Sequence, residues 1–288
     1  MIVRDDRSAP DVGRRARLEL LFTCRNGRTV LERGYAEPPL RVGRELPGGE
    51  SARMILTTSS PGLFGGDRFE QRIEAGPGAR VDLRSQSALQ LHPSLERSVA
   101  TIQSSYAVGE GGVLRCEWDP LIPFTDGRLD QRISIDLAPR ARLLWSDALM
   151  CGRHARGERW RFASLAHELK VVRGGALQYL ERYRIEPGGD RFDRPWMAAD
   201  AAYFGTTLAA DTDGTRTERE GERLRAELRG IPGVEAGVDI LAGTLLVVRL
   251  MAISGIAFRR ARAAIATLSA SWDQIADRPM PRPTALNP

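Results

Sequence analysis

Lysine and cysteine are both scarce in this chain of 288 residues. Lys170 is the only lysine, so arginine supplies nearly all of the positive charge behind a formal net charge of +5. The three cysteines, Cys24, Cys116 and Cys151, lack the even number and the regular spacing of a disulfide framework. No apolar run typical of a signal peptide occurs near residue 1, so we expect a cytoplasmic protein.

Two classes of partner are disfavoured by how charge and apolar residues are distributed. The arginines are interspersed with aspartate and glutamate, without the continuous basic patch that is typical of a nucleic-acid surface. The most apolar stretch, residues 240–258, contains Arg249 and has charged residues on both sides. It therefore predicts a buried strand followed by the start of a helix, and no membrane span.

Strands are the predicted regular structure over most of the chain. Apolar residues make up 42% of the sequence and charged residues 27%, which is typical of a globular protein. Short alternating segments separated by Gly, Pro and Asp continue to about residue 186 and indicate strands. Residues 211–230 are expected to be partly helical, and apolar residues at helical spacing from Ala261 to Ile275 predict a C-terminal helix. We predict a polar arm at 1–16, one β domain at 17–278 and a proline-rich tail at 279–288.

Alternation along the strands assigns several polar side chains to the buried face. Ser85 and Ser87 share the parity of the leucines in residues 80–91, and Glu181 shares that of its apolar neighbours. Asp67 shares a parity with Gln71 if a strand begins at Gly65-Gly66-Asp67. A buried carboxylate needs a partner or a cation, because burying an unpaired charge is costly.

Gly65-Gly66-Asp67 is also a strong turn signal, because glycine allows a positive φ and aspartate can cap backbone N–H groups. Asp67 is therefore either a turn former or an inward-facing carboxylate. Arg153 is a candidate partner for that carboxylate, and Glu158 is a second candidate inward acid.

One pair of residues has the spacing of a partial metal site. Cys151 and His154 are three residues apart and could chelate one borderline ion, but two ligands do not complete a site, and an ordinary turn is the alternative. His167 is expected to be a hydrogen-bonded core histidine, and Cys116 a buried structural thiol. The sequence contains no P-loop, GxGxxG, HExxH or GxSxG motif of a known enzyme class.

Six segments, in this order, resemble the urease accessory protein family UreD, also called UreH. They are PPLRVGR (38–44), SSPGLFGGDRFEQRI (59–73), RSQSALQLH (84–92), CEWDPLIPF (116–124), SDALMCGRHARGERW (146–160) and LERYRIEP (180–187). The most specific parts are residues 65–68 and 152–160, and the resemblance extends over most of the chain.

The resemblance implies a mainly β fold, a β-helix-like two-sheet architecture with helices near the C-terminal end. It also implies a chaperone-like scaffold that is not an enzyme and holds no tightly bound cofactor. Such a scaffold binds UreF, UreG and the urease apoprotein, and it assists nickel insertion through an internal polar tunnel. The candidate ion-passage residues are Asp67, Gln71, Ser85, Ser87, Arg153, Glu158 and Glu181. The alternative is a β-helical hydrolase or lyase that uses carboxylates such as Asp67 and Glu158.

Overall fold

Strands form most of the regular structure of the chain in this computed structural model, which describes residues 13–46, 49–188, 192, 194, 197–212 and 218–267. The strands are β1 (Arg15–Arg25), β2 (Arg28–Ala36), β3 (Leu40–Val42), β4 (Ala52–Thr58), β5 (Arg68–Ala75), β6 (Arg80–Ser85), β7 (Leu89–Leu91), β8 (Ala100–Val108), β9 (Val113–Glu117), β10 (Leu121–Pro123), β11 (Arg128–Leu137), β12 (Arg142–Met150), β13 (Ser164–Arg173), β14 (Ala176–Ile185), β15 (Tyr203–Ala210), β16 (Val234–Leu241) and β17 (Leu245–Ala252). The helices are α1 (Glu218–Arg229) and α2 (Gly255–Ala266).

The strands form two sheets. Sheet A has seven strands in the order β14-β13-β11-β8-β5-β1-β2. Sheet B has ten strands, with the main order β16-β17-β15-β12-β9-β6-β4-β3, and off this order β10 pairs with β12 and β7 pairs with β10.

Between β4 and β13 the chain passes back and forth between the sheets, and each long strand lies parallel to the preceding strand of its own sheet. This coil is a β-solenoid. It confirms the predicted β-helix-like two-sheet fold with helices near the C-terminal end.

Apolar residues that alternate along each strand fill the space between the sheets. Ile133, Ile135 and Leu137 of β11 face inward and are buried, as their parity predicted. Cys116 of β9 is also fully buried, in agreement with its predicted role as a structural thiol. Full burial of one such aliphatic side chain stabilises a fold by about 1.5–3 kcal/mol, so these rows hold the two sheets together.

A second apolar cluster lies on the outer face of sheet B, where both helices cover it. Leu224 and Leu228 of α1, and Phe258 and Ile265 of α2, pack against β15, β16 and β17. The Ser254 hydroxyl caps α2 by accepting a hydrogen bond from the Ala257 N–H at 3.2 Å. None of the described helices is both long enough and apolar enough to span a membrane.

These elements confirm the predictions of a partly helical segment at 211–230 and of a strand followed by a helix start at 240–258. The predicted C-terminal helix begins at Gly255. Its expected continuation through Leu268, Trp272 and Ile275, and the tail at 279–288, lie outside the described residues. The domain boundaries therefore stay a prediction.

One apolar residue of β14 does not face the core as its parity suggested. The pairing register of β13 and β14 shifts between Val171 and Val172, so that Val171 pairs with Tyr179 and Val172 with Leu177. The extra residue is a β-bulge, which reverses the facing of the residues beyond it. Leu177 is consequently 56% exposed, whereas Tyr179 stays buried.

We predict that Leu137→Ala lowers the free energy of unfolding by about 2–5 kcal/mol, because it leaves a cavity between the sheets. Leu177→Ala is the matched control, since the same atoms are removed from an exposed position, and it should change stability by less than about 0.5 kcal/mol. Chemical denaturation of both variants measures the difference. Equal losses would contradict this placement of the core.

Candidate functional site

A cavity of about 1060 Å³ lies between the two sheets. Its walls include aromatic residues of both sheets, among them Tyr106 of β8 and Trp145 of β12, whose rings meet edge to face at 5.0 Å. At roughly 30 Å³ per water molecule, the space would hold on the order of thirty waters. A solvated ion fits in such a volume together with its hydration shell.

Polar side chains line the wall that sheet A contributes. Ser104 donates a hydrogen bond to Gln71 Oε1 at 3.4 Å across the β5–β8 pair. On the next two strands, His167 Nδ1 lies 3.1 Å from Gln131 Oε1, and the imidazole stacks on the Tyr183 ring. Burial lowers the pKa of His167, partly offset by the nearby Glu181 charge. His167 is therefore the hydrogen-bonded core histidine that the sequence predicted, and it borders the cavity.

Glu181 is the most completely buried carboxylate of the cavity wall, with a side chain only 5% exposed. It forms an ion pair with Arg249 of β17 at 3.1 Å and accepts hydrogen bonds from the Tyr179 hydroxyl at 3.0 Å and the Thr206 hydroxyl at 3.3 Å. Burial, followed by the Glu181 charge, raises the pKa of Tyr179 to about 12, so its hydroxyl remains a donor. The inward direction predicted for Glu181 is confirmed.

Asp147 of β12 is a second carboxylate on the cavity wall, opposite Glu181. It accepts a hydrogen bond from Trp145 Nε1 at 3.1 Å, and no ion pair to it occurs among the described residues. Burial raises its pKa to about 6, against the opposing effects of the Trp145 hydrogen bond and of the Arg262 and Arg249 charges. Asp147 therefore gains or loses a proton near neutral pH, which is a property of functional carboxylates.

The structure brings four of the predicted ion-passage residues to this cavity. Gln71, Ser85, Ser87 and Glu181 all line it. Ser87 nevertheless lies in an exposed bend between β6 and β7, so its predicted place on the buried face of a strand is wrong. The Ser85 hydroxyl accepts a hydrogen bond from the Asp119 N–H at 2.7 Å, which ties the end of β6 to the segment after β9. Their role in ion passage stays a prediction, but their common location is established.

Asp67 lies elsewhere, in a buried turn that fastens the start of β1 to the start of β5. Although only 1% exposed, it is fully bonded: Oδ1 accepts from the Arg14 N–H at 2.8 Å and Oδ2 accepts from the Phe64 N–H at 2.9 Å. The expected Arg153 partner is wrong, because these backbone N–H groups satisfy the carboxylate instead. Of the two interpretations of Asp67, the geometry favours the turn former.

The glycines of this turn are required by close packing. Gly66 adopts a φ of +85°, which favours glycine. A Cβ atom on Gly65 would lie 2.3 Å from Ser98 Oγ, so a larger residue there would displace the segment before β8.

Arg153 and Glu158 do not line the cavity but form an ion pair with each other, so the prediction of Glu158 as an inward acid is wrong. The Arg153 guanidinium lies 4.2 Å from the centre of the Phe124 ring, Phe124 contacts His92 edge to face, and His92 stacks on Phe64. This chain of side-chain contacts joins the loop of residues 152–160 to the Gly-Gly-Asp turn. The two segments most specific to the resemblance are thus neighbours in the fold.

Cys151 and His154 do not converge on a common point. Cys151 is fully buried, whereas His154 is exposed and its Nδ1 lies 3.2 Å from the Arg159 guanidinium. In the described part of the chain, no group of three or more His, Cys, Asp or Glu side chains could hold a metal ion. The ordinary turn is the better description of this segment.

Comparison with known proteins decides the family. The model of the UreD urease accessory protein family matches residues 14–285. This chain belongs to the UreD urease accessory protein family. It is 33% identical over 214 residues to the urease accessory protein UreD of Sorangium cellulosum, covering 73% of this chain and 68% of that protein.

Two further relatives are similar over comparable lengths. The urease accessory protein UreD of Deinococcus radiodurans is 33% identical over 211 residues, which is 72% of this chain and 75% of the relative. That of Chelativorans sp. is 32% identical over 242 residues, 82% of this chain and 83% of the relative.

Sequence reasoning missed Asp147 and Arg249 as site residues of this UreD-family chain. Asp147 shares the parity of the buried Leu143, Trp145 and Leu149 in β12, so the same alternation that found Glu181 could have found it. Arg249 was noticed only as an interruption of an apolar run. Arg249 can pair with Glu181 only because the two sheets face each other, and alternation within one strand does not reveal which strands face each other.

We predict that Asp67→Asn lowers the free energy of unfolding by about 1–3 kcal/mol, because the amide provides one acceptor oxygen where two backbone N–H groups need acceptors. Asp130→Asn is the control, since Asp130 makes only an exposed pair with Arg132, and it should cost less than about 1 kcal/mol. Urea denaturation measures both. An unchanged stability in Asp67→Asn would contradict the turn role.

A second prediction concerns pH. The folded-state pKa of Asp147 is raised from 3.8 to about 6, so its contribution to stability is full below pH 4 and declines as pH rises through 6. Asp147→Asn removes this titration and keeps the acceptor for Trp145. Its stability relative to the parent chain should therefore increase between pH 4 and pH 7 and then level off. Unfolding free energies measured across that range test this, and a pH-independent difference would contradict it.

Proposed function

We propose that this chain is a non-catalytic maturation factor that docks on apo-urease together with UreF and UreG and assists nickel delivery through its inter-sheet cavity. The proposal rests mainly on the cavity itself, which presents Glu181 and Asp147 between the two sheets. Membership of the urease accessory protein family supports the role in urease maturation. The partners UreF and UreG and the nickel cargo are the more specific claims of this proposal.

The polar wall suits the transit of a cation better than its storage. Carboxylate, hydroxyl and amide oxygens are harder ligands than imidazole or thiolate, and a borderline ion such as nickel is held less firmly by oxygen. The walls offer such oxygens on Glu181, Asp147 and Gln71, and Ser104 adds a hydroxyl. Nickel is the cargo in this proposal, and no resident cofactor is required.

The three described free cysteines are compatible with a reducing compartment. We therefore propose the cytoplasm as the place of action. Cys116 and Cys151 are buried and act as small apolar residues.

A second function, carboxylate-dependent hydrolysis or elimination, has one observation in its favour. The pKa of about 6 would suit Asp147 as a general acid or base. Glu181, however, is held by Arg249, and His167 bonds Gln131, so neither of them activates a nucleophile in the described cavity. Sustained turnover of a small-molecule substrate by the purified chain, abolished by Asp147→Asn, would establish this alternative.

The test of nickel delivery uses a host that expresses the cognate urease and accessory genes under limiting nickel. Four arms are compared: no chain, the parent chain, Glu181→Gln and Glu168→Gln. Glu168 is the matched control because it lies one strand away on the outer face of sheet A, paired with Arg182. Nickel per urease is measured at equal amounts of assembled complex.

We expect omission of the chain to leave urease without nickel, Glu181→Gln to lower nickel content severalfold by removing the buried charge, and Glu168→Gln to match the parent. Normal loading without the chain would refute the maturation role. Normal loading by a stably folded Glu181→Gln would refute the route through the cavity and leave docking as the function.

A further inference from the structure

One row of cross-strand neighbours runs from the cavity to the edge of sheet B. Asp147 of β12 is paired with Thr206 of β15, Thr206 with Arg249 of β17, and Arg249 with Gly237 of β16. All four residues line the cavity. The row therefore leads from an inner carboxylate past a hydroxyl and a guanidinium to a residue without a side chain.

The outer end of this row lies where both sheets end. In the described part of the chain, β14 pairs only with β13 and β16 pairs only with β17, so each is an edge strand. Gly237 is exposed, its φ is not in the left-handed region, and a Cβ atom added to it would meet nothing within 4 Å. Open space at an exposed cavity-lining residue is what a mouth of the cavity requires.

Arg249 stands directly inside this opening and bridges the two sheets. Its guanidinium is 3.1 Å from Glu181 Oε1 and donates to the Tyr179 hydroxyl at 2.9 Å, both on β14. The Arg249 side chain is 56% exposed, whereas that of Glu181 is 5% exposed. The Arg249 guanidinium is therefore already half in solvent and can turn outward when another cation takes its place beside Glu181, whereas Glu181 is fixed.

We propose that the cavity opens between β14 and β16 at Gly237, and that Arg249 closes this mouth by its ion pair with Glu181. A divalent cation at Glu181 competes with the guanidinium because Coulomb attraction scales with charge, and a monovalent cation has no such advantage. This inference deepens the proposed function, on which the identity of the cargo rests. The position of the mouth does not depend on nickel.

Access to the cavity tests the proposal without any metal. Ser104→Cys places a thiol on the cavity wall, in a chain whose exposed Cys24 is changed to Ser, and the probe is a small cationic methanethiosulfonate reagent. The chain with Cys24→Ser alone gives the background from the two buried cysteines. The rate of thiol modification in the folded, full-length chain is the measurement.

Gly237→Phe fills this opening and should lower the rate severalfold toward that background. Leu241→Phe is the matched control, since it adds bulk to the same face of β16 at an exposed residue away from the cavity lining, and it should leave the rate unchanged. Arg249→Gln should raise the rate by about two- to fivefold, which is what the loss of a half-exposed ion pair allows. Arg249→Lys retains the charge and should raise it less.

An unchanged rate in Gly237→Phe would overturn the position of the mouth, and an unchanged rate in Arg249→Gln would overturn the closing role of Arg249. The same variants are then assayed for nickel per urease. A blocked mouth with normal nickel loading would refute cation passage through this mouth while the access result stands. A failure of the proposed mouth can therefore be distinguished from a failure of the proposed nickel delivery.

Discussion

An open space between two packed sheets is stable only if each polar group that faces it is bonded or hydrated, because an unpaired buried charge costs several kcal/mol. The contacts of Glu181 satisfy this constraint across the sheets, from Arg249 and Thr206 on one side and Tyr179 on its own strand. The same contacts join β14, an edge strand of sheet A, to β15 and β17 of sheet B. The closure of the cavity at β14 and the stability of the buried Glu181 charge therefore depend on the same contacts.

Glu181 and Asp147, two of the carboxylates that line the cavity, have different electrostatic environments. Glu181 has a cation within 3.1 Å, whereas Asp147 has only an indole N–H and more distant arginines, so burial dominates its pKa. A cation that moves along the wall would meet first a carboxylate already neutralised by an arginine and then one that is partly protonated near neutral pH. Neither carboxylate would bind a cation tightly, and this favours release of the cation over its retention.

Alternation along single strands was sufficient to predict the inward direction of Glu181, the cavity-facing positions of Gln71 and Ser85, and the apolar face of β11. The apolar run over residues 240–258 predicted the buried strand β17. Alternation failed where the answer depends on pairing between strands. The bulge opposite Val171 exposes Leu177, and one partner of Asp67 is the backbone N–H of residue 14, just before the distant β1. Arg249 reaches Glu181 only because the two sheets face each other. Those contacts are set by register and by the separation of the sheets, which local patterns do not encode.

The fastening of β1 to β5 by Asp67 has a consequence for the order in which the chain folds. As the chain emerges during synthesis, β1 can pair at once with the adjacent β2 as a hairpin. Its parallel neighbour, β5, emerges later, because residues 14 and 67, whose hydrogen bond joins the starts of the two strands, are 53 residues apart. The first hairpin to be made therefore has an open edge during this interval, and a nascent chain must keep that edge from pairing with other chains until the Gly-Gly-Asp turn arrives.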